Sequence, residues 1–187
     1  VYVCAIPMIE EQRVHTNFFD TIRVWREDWD SELNTVRPES TKEHAIQAYE
    51  KYPNKRLIIH FLQPHYPFIG PTGQNISHST VSGPGVPEDT EDNEYVWAKL
   101  QSGKISKQRV WKAYKENLNR VLPYVEQLDQ ILPGKTVVTS DHGNGFGEWG
   151  IYGHPTYQSL YTHELVAVPW LIIESDDRRK ITTGNAY

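Results

Sequence analysis

The stretch Lys135-Thr136-Val137-Val138-Thr139-Ser140-Asp141-His142-Gly143-Asn144-Gly145 decides the fold. Its first half is a β-branched run of strand length. Its second half breaks into titratable residues and glycine. In open α/β sheets ligands gather beyond the carboxyl ends of the strands, which is where such a strand delivers an acid and an imidazole. Neighbours on a regular strand point to opposite faces. The expectation is therefore that the strand stops at Ser140. Gly143 and Gly145 would then supply the unusual backbone angles that turn Asp141 and His142 toward one point. A carboxylate beside an imidazole suits Mn²⁺ or Zn²⁺, and Ca²⁺ or Mg²⁺ less well. The competing reading makes Asp141 a turn cap and His142 a structural histidine. The strand before them, the glycines after them and His154 further on favour a site.

Working outward, the run is one of several strands alternating with helices. Val1-Tyr2-Val3-Cys4-Ala5-Ile6 reads as a strand, and residues 18–25 as a second with partial alternation. A helix opens at Pro38-Glu39-Ser40-Thr41, with Ser40 or Thr41 as cap, and stops at Pro53-Asn54. Residues 56–62 are nearly continuously apolar, the pattern of a parallel strand covered on both faces. Residues 63–105 are rich in proline and glycine and carry an acidic cluster, so they read as a long surface excursion. Ser106 caps a helix over about 107–132, with one apolar face at three- and four-residue spacing. Pro123 should kink or split it. The last strand is Val168–Ile173. This order is that of an α/β layer fold, and one domain over 1–187 is expected.

Composition excludes several classes. The chain has 187 residues, 38% hydrophobic and 12% aromatic, with six Trp and eleven Tyr, enough for a core. A net charge of −5 with scattered Lys and Arg argues against nucleic acid as partner. No apolar run is long enough to span a bilayer. One cysteine, Cys4, precludes a disulfide framework and reads as a small buried residue. No targeting segment is legible, so localisation is open, with the cytoplasm as default. Without an initiator Met, the chain is expected to be an internal or C-terminal piece of a longer protein, or a processed chain. Asn75-Ile76-Ser77 is a glycosylation sequon, meaningful only in a secreted protein.

His65 stands between Pro64 and Pro67, which would fix its direction and aim it at an anion. His60, inside the apolar run, reads as a core histidine. His15, His44, His78 and His163 belong to no constellation. Asp28-Trp29-Asp30 formally matches the metal-holding motif of glycosyltransferase-like domains, with nothing else to support a nucleotide site.

Thr139-Ser140-Asp141-His142-Gly143, Gly147-Glu148-Trp149-Gly150, Gly153-His154, and Glu164 before Val168-Pro169-Trp170-Leu171 together resemble the C-terminal pattern of the sulfatase and alkaline-phosphatase-like superfamily. Leu62-Gln63-Pro64-His65-Tyr66-Pro67-Phe68 is similar to its Pro-His-x-Pro segment. The chain looks most like archaeal sulfatase-like proteins. The resemblance implies a three-layer α/β/α sandwich with a mostly parallel sheet, incomplete at its N-terminus. It implies metal-dependent hydrolysis or transfer at a phosphate or sulfate ester, carried by a small molecule, sugar or lipid. Asp141 and His142 would hold a divalent metal (Mn, Zn, Ca or Mg), His65 would contact the transferred group's oxygens, and His154 would bind substrate or help hold a second ion. The superfamily's first metal-binding acid and its nucleophile have no counterpart here. Asn144 stands where a Glu is usual, and His65 and Ile69 where an Asp and a His four apart would build a second metal site. A single metal is expected, and a chain inactive alone. The alternative is a non-catalytic sulfatase-like domain that binds an anion or a partner.

Overall fold

The computed structural model describes residues 1–9, 17–76, 94–155, 160–177 and 179–184. In chain order the elements are β1 (Tyr2–Cys4), β2 (Thr21–Arg23), β3 (Trp29–Asp30), β4 (Thr35–Val36), α1 (Pro38–Lys51), β5 (Ile58–His60), α2 (Val96–Gln101), α3 (Lys107–Ile131), β6 (Thr136–Thr139), β7 (Gly145–Phe146), β8 (Tyr152–Gly153), α4 (His163–Val166) and β9 (Trp170–Ile173). The fold is mixed α/β.

Strand β1 lies between β2 and β5 in a three-stranded parallel sheet, order β2-β1-β5, with Cys4 opposite both Arg23 and His60. Val3, Cys4 and Ala5 are fully buried, which explains why this short apolar opening forms the central strand. Strand β6 pairs antiparallel with β9 and not with the parallel sheet. The mostly parallel sheet expected from the sequence is thus parallel in its three-stranded part only. Strand β5 is shorter than the apolar run suggested and is not covered on both faces, since Ile58 is 51% exposed. The helix predicted to start at a Ser40 or Thr41 cap begins at Pro38. Its N-cap is Arg37, without a side-chain cap, because the fixed φ of proline suits the first helical position.

Two hydrophobic clusters share one helix. The first gathers β1 with Trp25, Val36, Ala45, Ala48 and Leu128. The second gathers Tyr66, Phe68, Ile76, Val96, Trp97, Leu100, Val110, Ala113 and Phe146. Helix α3 spans about 37 Å at 1.5 Å per residue, so its N-terminal half serves the second cluster and Leu128 the first. Ser106 caps it as expected, its Oγ accepting from Arg109 N at 3.3 Å. Pro123 lies inside without splitting it; Val121 and Leu128 are buried on either side and hold the helix across the lost hydrogen bond.

The second cluster corrects the reading of 63–105 as a surface excursion. Residues 66–70 are buried, and α2 buries Val96, Trp97 and Leu100. Residues 77–93 lie outside the described residues, as do His15, His78 and Ser77 of the sequon. Asn117, at the middle of α3 and fully buried, ties the proline segment down. Its Oδ1 accepts from Ile69 N at 2.8 Å, and its Nδ2 donates to the carbonyls of His65 at 2.9 Å and Pro67 at 3.0 Å. Next to it, Glu116 accepts from Thr72 N and Thr72 Oγ1, both at 2.7 Å. A segment without sheet or helix of its own satisfies its backbone on this helix instead.

Replacing Asn117 by Leu strands one buried N–H and two carbonyls. The expected loss is about 3 kcal/mol in urea unfolding, at one to three per orphaned group with partial relaxation. A loss below about 0.5 kcal/mol would contradict the role given to this residue.

Candidate functional site

The two polar strand ends meet. Strand β5 ends on His60 and strand β6 on Thr139, and Asp141 Oδ2 lies 4.0 Å from His60 Nε2 and 3.7 Å from His142 Nε2. His142 and His154 have ring centroids 4.3 Å apart, and His154 and His65 5.6 Å apart. The residues expected as metal ligands and those expected as substrate contacts therefore form one cluster, joined by His60.

Local structure delivers each of them. Gly143 has ordinary backbone angles; what it supplies is space, because a Cβ there would sit 2.1 Å from the Glu164 carbonyl oxygen. Its N–H donates to the Leu165 carbonyl at 2.8 Å, tying the loop to α4. The expectation that Gly143 and Gly145 adopt unusual angles is corrected: the left-handed positions of this loop are Gly147, Trp149, Gly150 and Gly153. Strands β7 and β8 pair Gly145 with Gly153. That hairpin returns the chain so that His154 stands beside Asn144, whose Oδ1 faces His154 Nδ1 at 2.8 Å.

Asp141 is exposed, with its Oδ1 accepting from His142 N at 2.9 Å. His142 Nδ1 lies 2.8 Å from the Gly143 carbonyl oxygen, and His65 Nδ1 faces that of Tyr66. Burial lowers the pKa of His60, partly offset by the Asp141 charge, and Tyr2 OH meets its Nδ1 at 2.5 Å. Burial, with His142 and His65 alongside, pushes His154 down to about 4 against the pull of Asp141.

Two ligands bound at about 2.1 Å on adjacent corners of a metal's coordination sphere lie roughly 3.0–3.5 Å apart. Asp141 and His142, at 3.7 Å, need little movement to share an ion, and oxygen plus imidazole is a donor pair fitted to Zn²⁺ or Mn²⁺. That is half a ligand set. Among the described residues no group of three or more His, Cys, Asp or Glu is drawn together closely enough to hold a metal.

Sequence reading missed His60, which ends the strand it was thought to run through, and Asn144, seen only as a departure from a pattern. Other candidates are committed elsewhere. Asp28 pairs with His44 at 2.8 Å, and Asp30 binds Arg37 and the turn N–H groups of Glu32 and Leu33. Cys4 is buried and free. A cavity of about 470 Å³ lined by Leu100, Ile105, Lys107, Glu148 and Tyr152 opens at the turn end of the β7–β8 hairpin, and no histidine lines it. Among the described residues no helix is long and apolar enough to cross a membrane. No family model and no curated protein matches the chain.

A histidine held neutral by the fold makes stability depend on pH. His154 binds its proton less well folded than unfolded, so its contribution is complete above about pH 6.5 and is lost as the pH falls toward 4. Partial exposure reduces the loss to about 2 kcal/mol. Urea midpoints at pH 7.5 and 4.5, in chelator, should show this fall, and His154→Gln should flatten it. Equal slopes for both proteins would contradict the assignment.

Proposed function

We propose that this chain is part of a metal-dependent hydrolase or transferase acting on a phosphate or sulfate ester, built as an alkaline-phosphatase-like α/β/α sandwich. The observation that carries the reading is the meeting of Asp141, His142, His65 and His154, from two separate segments, at the ends of two strands. Asp141 and His142 would hold the divalent ion, Zn²⁺ or Mn²⁺ before Mg²⁺ or Ca²⁺. When bound, such an ion supplies positive charge for the ester's non-bridging oxygens.

The chain's own residues do the rest. Asp141, exposed at the rim, brings the negative charge that keeps a cation there. His65 has its Nδ1 at the Tyr66 carbonyl, so Nε2 is the nitrogen left to meet ester oxygens. Asn117 sets the angle at which that ring stands, through the His65 carbonyl. The half-complete ligand set favours a second reading, a sulfatase-like domain that binds an anion without turning it over.

The test uses the full-length protein that contains these residues. Hydrolysis of an aryl phosphate and an aryl sulfate is measured with Mn²⁺ or Zn²⁺, with and without Asp141→Ala. The reading expects one ester to be cleaved and Asp141→Ala to lower the rate at least 100-fold, roughly 3 kcal/mol of transition-state stabilisation. Activity indifferent to the substitution removes the mechanism. No activity together with saturable binding of inorganic phosphate or sulfate favours the non-catalytic reading.

A further inference from the structure

The Gly147-Glu148-Trp149-Gly150 turn between β7 and β8 has no part in the proposed ester chemistry. Trp149 is 85% exposed and sits at φ 54°, ψ 22°, in the left-handed region. Among the described residues other than glycine, Asn34 alone shares a positive φ, and asparagine tolerates it where a bulky ring does not. The turn is nonetheless firmly tied. Gly147 N donates to the Ile151 carbonyl at 2.8 Å and Ile151 N to that of Glu148 at 2.9 Å, while Glu148 Oε2 accepts from Phe146 N at 2.6 Å. Neither burial nor backbone preference accounts for an indole at this place, and strain of that kind clusters where the displayed group has a use.

The same turn walls the cavity of about 470 Å³, a volume in the range of small-molecule sites. Tyr152 lies over Gly147, where a Cβ would stand 3.3 Å from its hydroxyl. Among the described residues on the wall only Lys107 and Glu148 are charged, and they are bonded to each other. The bond from Lys107 holds the Glu148 carboxyl below its ordinary range, so it stays ionised. Opposite charges side by side select neither an anion nor a cation. The ammonium has three donors and the carboxylate two accepting oxygens, so the pair suits a ligand whose groups both donate and accept. Hydroxyls do both.

We propose that this cavity and Trp149 form a binding site for a neutral saccharide. Sugar hydroxyls donate to Glu148 and accept from Lys107, and the apolar face of a pyranose ring lies on the indole. Because the backbone of the turn is already fixed, little ordering is left to be done when the sugar arrives. The site is separate from the histidine cluster. No histidine lines the cavity, and it is the other end of the hairpin, where Gly145 pairs with Gly153, that carries Asn144 and His154. The inference therefore does not rest on the proposed function.

The test titrates the full-length protein with cellobiose, maltose and chitobiose, and separately with sodium sulfate and glycerol. Binding is followed by ¹H–¹⁵N shifts of the Gly147 and Glu148 amides and of the Trp149 indole. At least one disaccharide should bind saturably with a millimolar or tighter Kd. Trp149→Gly, which suits the left-handed backbone and should leave the fold at least as stable, should weaken that binding 10-fold or more, while Trp149→Tyr keeps a ring face and should retain most of it. Lys107→Met removes a donor and should weaken it about 10-fold. No saturable shift with any of the three sugars up to about 50 mM, far above a millimolar Kd, overturns the inference. So does an unchanged Kd in Trp149→Gly or Lys107→Met, sulfate shifting these resonances in place of a sugar, or glycerol binding as tightly as the disaccharides.

Discussion

The structure depends on what one buried carboxamide does at the middle of α3. Asn117 has no exposure, and a polar group so placed costs free energy unless each of its functions is paired. It is paired entirely with the backbone of the segment from Pro64 to Ile69. That segment has no regular structure to satisfy its own amides, so it takes its shape from the helix. Because α3 also links the two hydrophobic clusters, the same helix sets where His65 stands relative to β5 and β6.

The histidines follow a common pattern. His65, His142 and His154 each turn Nδ1 to an oxygen, two of them main-chain carbonyls and one the Asn144 amide. Carbonyl and amide oxygens only accept, so these partners select the Nδ1–H form. Burial and mutual repulsion keep His154 neutral. A neutral His154 ring near the exposed Asp141 suits a cation better than an anion, in keeping with the ion proposed for Asp141 and His142.

Much of this was legible in the sequence because it is local. The strand over 136–139 and its abrupt polar end follow from β-branching and glycine; α3 and its Ser106 cap follow from periodicity and side-chain chemistry. What stayed illegible is set by long-range contacts. That residues 66–70 are buried depends on Asn117, some fifty residues away and ordinary to the eye on a helix. That β6 pairs with β9 antiparallel is a matter of register between distant segments. His60 was hidden by an apolar run that continues beyond the end of its strand. Asn144 carries no motif of its own, and only the hairpin register that returns His154 beside it reveals their contact.

The most direct test of the convergence is anomalous diffraction from crystals of the protein soaked in Zn²⁺. The account predicts a single strong peak about 2.0–2.2 Å from both Asp141 and His142 Nε2. Asp141 and His142 facing separate pockets, with no peak between them, would contradict it.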